Sequence, residues 1–376
     1  MKVGIMTMQR IRNYGSYLQA YGLKRLIEEL GHQVEFVDFK VEPSVDKKGI
    51  VERCIILKKI LQKLMRGVKK FKRVVNKEKQ SPFECFIKSF EKEYIKDLGV
   101  TRERKYRTAV DVLVIGSDEV FNCTQSKGVG FSAELFGAGN NAGKVISYAA
   151  SFGNTTIEKL KRYGIDKRVK ELFGNFSSIS VRDMNSQKIV EYLTGINPKI
   201  HLDPVLVYDF KKDIKDIVDI ENYILVYAYN GRISEDEGRV IREFADSKQK
   251  RLISISGEQN FCDQYVYCRP LEMLSYFKHA DYVITDTFHG TIFSVINQRQ
   301  FAVLVRSDEN AEGYGNQEKL NFLLEKLGLE NQRVESLPQL ADIIERNIDY
   351  GAIDTIIEKE RKNTIAYLKE QIDFAD

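Results

Sequence analysis

The residues of this sequence best equipped for chemistry lie together in Asp286-Thr287-Phe288-His289-Gly290-Thr291. A β-branched and aromatic run, Tyr282-Val283-Ile284-Thr285, precedes them and reads as a buried strand. The apolar run Thr291 to Ile296 follows and is expected to start a helix. A strand that breaks into a polar turn and opens a helix puts that turn at the carboxyl edge of a sheet. There the helix start presents unpaired N–H groups and a partial positive charge, which suit an anion. His289, with an ordinary pKa of about 6.5, can give or take a proton at neutral pH or hold an anion; it can also merely cap the turn. Asp286 can act as a general base or cap the helix. Thr287, Gly290 and Thr291 flank the same helix start and are candidate binding positions.

Other strand ends carry polar residues that could join them in one cleft. Gly116-Ser117-Asp118 brings backbone N–H groups, a hydroxyl and a carboxylate to the end of a strand. It lacks the Lys of a phosphate-binding P-loop, and a plain turn explains it equally well. Arg182 directly follows a strand; its planar fork fits a carboxylate or phosphate of a ligand, or a structural carboxylate nearby. Asn13-Tyr14-Gly15-Ser16 opens the first helix, either as a second anion-compatible terminus or as an ordinary cap. Arg306 and Lys319 are weaker cationic candidates, since surface lysines and arginines are mostly solvated. The sequence has no HExxH, no GxSxG and no dinucleotide-type GxGxxG, so neither a zinc protease helix nor a nucleophile elbow is expected.

These residues are positioned by a β-loop-α-β opening. Lys2 to Met6 is expected as a strand, Gly15 to Leu30 as a helix closed by Gly31, and Val34 to Phe39 as a strand. Ser81-Pro82-Phe83-Glu84 starts a helix running to about Leu98. Strands follow at Asp111 to Ile115, Lys144 to Ala150 and Ser178 to Val181, with a helix at Thr156 to Phe173. Beyond a charged connector, Val205 to Asn222, strands and helices alternate again. The expected fold class is therefore α/β, with two Rossmann-like domains facing a cleft. Their expected extents are 1–205, with a helical insertion at about 46–98, and 222–350, before a C-terminal helix at 351–376. Within the insertion, Ile50, Cys54, Leu57, Leu61, Leu64, Val68, Phe71 and Val75 form an apolar seam among many lysines. Such a segment packs on its domain with its lysines in water, or makes peripheral contact with an anionic membrane.

The 376 residues exceed what one core usually serves, and the 43% hydrophobic and 30% charged fractions are those of a globular protein. The formal net charge of +4 is too small to imply a nucleic-acid partner. Five scattered cysteines, without CxxC spacing, fit a reducing cytoplasm and suggest neither a metal site nor a cofactor. The opening residues lack the apolar stretch of a signal peptide, and no run is long enough to span a bilayer. A cytoplasmic chain is expected, at most peripheral at the inner face of the membrane.

Taken together, the motifs resemble the polysaccharide pyruvyl transferase family. The matching pieces are Asn13 to Ser16 with Leu18-Gln19-Ala20, DVLVIGSDEVF (Asp111 to Phe121), SYAASFG (Ser147 to Gly153), ISVRD (Ile179 to Asp183), LDPVL (Leu202 to Leu206) and TDTFHGTIFS (Thr285 to Ser294). The basic insertion carries no matching motif. The resemblance implies a fold similar to the GT-B glycosyltransferases. It implies transfer of a pyruvyl group from phosphoenolpyruvate to two hydroxyls of a sugar or lipid-linked oligosaccharide, forming a ketal and releasing phosphate. His289 would then be the acid or would bind phosphate, and Asp118 or Asp286 the base or the acceptor's orienting group. Arg182, Arg306 and Lys319 would bind the donor, with Asn13, Tyr14, Gly15, Ser117, Thr287, Gly290 and Thr291 lining the substrate. The alternatives are a nucleotide-sugar glycosyltransferase of the same architecture and a non-catalytic carbohydrate-binding protein.

Overall fold

The structure, a computed structural model, describes residues 1–43, 45, 82–125, 131–214, 216–305 and 317–373. The apolar seam and basic surface expected at 46–80, and Arg306, lie outside these residues. In chain order the first half contains β1 (Lys2–Met6), α1 (Tyr14–Glu29), β2 (Gln33–Phe36), α2 (Pro82–Ser89), β3 (Val112–Asp118), β4 (Lys144–Ala150), α3 (Ile157–Arg162), α4 (Asp166–Phe173), β5 (Ser180–Val181), α5 (Met184–Thr194), β6 (Lys199–Ile200) and α6 (Pro204–Val207). The second contains β7 (Tyr223–Tyr227), α7 (Glu235–Ser247), β8 (Arg251–Ile255), β9 (Gln264–Val266), α8 (Pro270–His279), β10 (Tyr282–Thr285), α9 (Phe288–Ile296), β11 (Gln300–Leu304), α10 (Gln317–Leu327), β12 (Arg333–Val334), α11 (Leu340–Ile344) and α12 (Tyr350–Asp373).

Each half builds one parallel sheet of six strands, ordered β2-β1-β3-β4-β5-β6 and β12-β11-β10-β7-β8-β9. The apolar runs Val112 to Ile115 and Tyr223 to Tyr227 are buried throughout, as central strands covered on both faces must be. In both sheets the strand order reverses beside the first strand, between β1 and β3 and between β7 and β10. Crevices at the carboxyl ends of strands at such switch points are where ligands of doubly wound sheets bind. One continuous apolar core joins the two halves, from Val3 and Leu18 through Leu206 to Leu225, Phe293 and Leu368. Two further clusters cover the outer faces of the two sheets.

Several local expectations need correction. Gly116-Ser117-Asp118 is not a turn after β3 but its last three residues, because pairing with β4 continues through Gly116 with Tyr148 and Asp118 with Ala150. The helix expected at Thr156 to Phe173 is two helices, interrupted at Gly164 with φ +64°. The connector after Asp203 begins as the buried short helix α6 rather than as a solvated linker. The C-terminal helix α12 returns to the first half, where the Tyr367 hydroxyl donates to the Ser147 carbonyl at 2.8 Å. Among the described residues no helix is long and apolar enough to cross a membrane.

Candidate functional site

The first turns of α1 and α9 meet between the two sheets. The α9 start is set by Thr287, whose backbone is extended and whose Oγ1 accepts the Gly290 amide at 2.9 Å. Asn13 caps α1 in the same way, accepting the Ser16 amide at 2.7 Å. Both are good caps because a short polar side chain replaces one of the carbonyl partners a helix start lacks. His289 lies in the first turn of α9, directly against the backbone of Gly15. A Cβ at Gly15 would stand 2.5 Å from Cγ and 2.8 Å from Cε1 of the imidazole, with Nδ1 closer still. Glycine is therefore required here by the approach of the histidine rather than by backbone conformation.

The ring of His289 is held by aromatic neighbours, stacking on Phe293 at 6.0 Å and meeting Phe288 edge-on at 5.4 Å. Its Nε2 faces Asp203 Oδ2 at 3.7 Å, too far for a hydrogen bond, and has no other hydrogen-bond partner among the described residues. Asp203 is the capping residue of α6 and is fully buried. It accepts the Val205 amide at 3.0 Å, Arg182 Nη1 at 2.6 Å and the Ser117 hydroxyl at 3.3 Å. Burial by itself would raise its carboxyl pKa, but His289, Arg182 and the Val205 amide outweigh it and hold the group well below the usual carboxylate range.

Arg182, which follows β5, is buried and lies over the Phe288 ring, 4.6 Å from its centroid. Its second guanidinium nitrogen is 3.7 Å from Asp118 Oδ1. Burial opposes its charge, yet Asp203 and Asp118 more than restore it, so its pKa lies above the ordinary arginine value. Asp118, at the end of β3, accepts the Ser16 hydroxyl of α1 at 2.8 Å and keeps partial exposure. Lys319, in the first turn of α10, reaches across from the second half to Glu119 at 2.7 Å. Its Nζ stands 5.9 Å from the Phe288 centroid. Phe288 thus carries two cations, each tied to a carboxylate of the first half.

His289, Asp118, Arg182, Ser117, Gly15 and Lys319 are therefore brought into one cluster, together with the helix starts bearing Asn13, Thr287 and Gly290. Other expected residues are occupied otherwise. Tyr14 is buried, its hydroxyl donating to the Cys268 carbonyl at 3.1 Å and its ring packing on Phe86 and Tyr227. The Thr291 hydroxyl donates back to the Thr287 carbonyl at 3.1 Å. Asp286 is fully buried and pairs with Arg232 Nε at 2.7 Å.

Asp203 and Arg232 were not singled out from the sequence. The first had a signal, an Asp-Pro step just past a strand. The second sits in Tyr229-Asn230-Gly231-Arg232, a polar loop leaving β7. Tyr229 belongs with them, partly buried beneath the Arg232 guanidinium at 5.6 Å. Burial pushes the Tyr229 hydroxyl pKa up, and Asp118, Asp286 and Glu119 add to that rise while Arg232 opposes it. No group of three or more potential metal ligands occurs among the described residues.

Comparison with known proteins agrees with the architecture and the motifs. The family model described as polysaccharide pyruvyl transferase matches residues 13–308. No match was found among curated proteins. Among solved structures the fold is similar to a putative UDP-N-acetylglucosamine 2-epimerase from Listeria monocytogenes, at 10% identity and a TM-score of 0.51, covering 100% of this chain and 97% of that one. The UDP-GlcNAc 2-epimerase from Neisseria meningitidis bound to UDP-GlcNAc is also similar, at 12% identity and a TM-score of 0.45, covering 98% and 100%. At 10% identity the likeness to the Listeria protein is one of fold: two α/β domains in the GT-B arrangement.

Proposed function

The chain belongs to the polysaccharide pyruvyl transferase family, and on that premise we propose that it moves a pyruvyl group from phosphoenolpyruvate to two hydroxyls of a sugar. The acceptor belongs to a polysaccharide or its lipid-linked precursor; the products are a cyclic ketal and phosphate. The observation that carries this reading is His289. It lies at a helix start between the two sheets, with Nε2 free of any hydrogen bond among the described residues.

Ketal formation needs a proton on the enol methylene, since only then does the adjacent carbon become electrophilic enough for a hydroxyl. His289 supplies that proton from Nε2. The first sugar hydroxyl adds to the central carbon, and its proton passes to a base. Phosphate then leaves with the electron pair of its C–O bond. The second hydroxyl closes the ring, and its proton leaves with phosphate or restores the histidine. Asp118 is the base for the hydroxyls, being the carboxylate of the cluster that keeps exposure. Asp286, sealed against Arg232, orients its loop instead. The donor's negative charge is met by Lys319 and Arg182 and by the first amides of α1 and α9, which a helical ladder leaves without carbonyl partners. A lipid-linked acceptor would place the reaction in the cytoplasm, at the inner face of the membrane.

The test is phosphate release from phosphoenolpyruvate across a panel of free and lipid-linked oligosaccharides, alongside thermal shift with phosphoenolpyruvate or a uridine diphosphate sugar. Phosphate release that disappears in His289→Ala is the expected result. Stabilisation by the nucleotide sugar alone, with no release from phosphoenolpyruvate, would overturn the reading in favour of a glycosyltransferase.

A further inference from the structure

We infer that Asp203 is a positioning residue for His289, a counter-charge that faces the imidazole from the opposite half of the molecule while leaving its Nε2 proton free for substrate. The inference rests on the reading of His289 as the proton donor. Its basis is a separation of 3.7 Å, short enough for strong attraction between charges and too long for a hydrogen bond. A carboxylate in direct hydrogen bond with Nε2 would orient the ring but occupy the proton the reaction needs. At 3.7 Å the charge acts and the donor stays available.

The geometry on both sides is fixed. Asp203 cannot turn toward or away from the ring, because Val205, Arg182 and Ser117 hold its two oxygens, all three from the first half. His289 is confined by Gly15 on one side and by Phe288 and Phe293 on others. The neighbouring charges do not duplicate this role. Arg182 and Lys319 face Phe288 as cations and bring no negative charge to the histidine. Asp118 is engaged by Ser16 and Arg182, Glu119 by Lys319, and Asp286 by Arg232. Among the described residues Asp203 is the carboxylate whose oxygen faces Nε2. A purely structural buried pair of Arg182 with Asp203 would not require a histidine from the other half beside the same oxygen. The pairing also exists only while the halves are together, so the acid is assembled by their contact.

The test reads the histidine directly. The chain has four histidines, so the ring resonance of His289 can be assigned in the full-length protein by its loss in His289→Ala. In Asp203→Asn, which keeps an oxygen for the Val205 amide, the titration midpoint of His289 is expected to fall by about one pH unit. His32, His201 and His279 keep theirs, and the alkaline limb of the phosphate-release profile moves down with His289. Should Asp203→Asn not fold, Ser117→Ala serves. Ser117 is neutral and bonded to the Asp203 carboxylate, so losing its hydroxyl leaves that carboxylate less shared and raises the His289 midpoint. An unmoved midpoint in the folded variant overturns the inference. A moved midpoint in a protein that never releases phosphate from phosphoenolpyruvate keeps the pair and discards the proposed function.

Discussion

Gly15→Ala sets local helix chemistry against the contact between the two halves. In the first turn of α1 an alanine is the better helix former, by up to about 1 kcal/mol, and Gly15 has no positive φ to protect. Local reasoning therefore predicts a more stable protein. The added methyl group, however, would stand 2.5 Å from His289 Cγ, where ordinary contact begins at 3.4 Å. The imidazole, the α1 backbone or both must yield by roughly 0.9 Å or more in a densely packed place. Overpacking of this kind costs about 1–3 kcal/mol, more than the helix gains. A displacement of this size at a proton donor lowers turnover by about a hundredfold, or about 2.7 kcal/mol in the barrier. The assay is a double-mutant cycle on phosphate release and melting temperature. With His289 present, Gly15→Ala should lower both. In a His289→Ala background, which is not expected to release phosphate, the clashing ring is gone, so the same substitution should raise the melting temperature. Full turnover with a raised melting temperature in the parent background would refute the reasoning.

Glu318, an exposed residue in the first turn of α10, accepts the Asn185 amide at 3.0 Å, and partial loss of water around its carboxyl together with nearby Asp183 pushes its pKa up to about 7. A carboxyl raised on folding contributes stability below its unfolded value of about 4.5, and that contribution is lost as pH rises through about 7. Glu318→Gln keeps an acceptor and removes the charge, so its melting temperature relative to the parent should be higher at pH 8 than at pH 5; the opposite ordering would contradict the assignment. Tyr14→Phe keeps the packed ring and removes the hydroxyl's bonds to Cys268, one donated to its carbonyl and one accepted from its amide, so denaturant titration should show a loss of about 1–2 kcal/mol with turnover nearly unchanged. A tenfold loss of turnover at constant stability would restore Tyr14 to the substrate site.

The alternation of apolar runs and polar breaks was enough to indicate two doubly wound halves, because central parallel strands such as Val112 to Ile115 and Tyr223 to Tyr227 are continuous apolar segments bounded by turns. What escaped notice was short or narrow. Strands β6 and β12 have two residues each, too few to carry a period. Helix α5 buries only Ser186, Ile189, Val190 and Leu193, a thin stripe whose clearest mark is the Asp183 cap. In the site, strand-end position pointed to His289, Arg182 and Asp118, since a strand's carboxyl end is visible as a change of composition. It could not say which polar side chains would be spent on one another. Thr287, Thr291 and Tyr14 are hydrogen-bonded within the scaffold, and Asp203 faces a partner 86 residues away. Such pairings depend on how the halves meet, which local pattern does not encode.

The return of α12 to the first half also orders events during synthesis. Tyr367 packs its ring on His201 at 4.7 Å and reaches Ser147 and Ser178, while Thr364 bonds the Tyr148 hydroxyl. These residues of the first half are made well over a hundred residues before their partners. A chain emerging from the ribosome would therefore hold its first sheet with one flank uncovered while the second half is translated. The half that contributes Asp118, Arg182 and Asp203 would be sealed last, although it is made first.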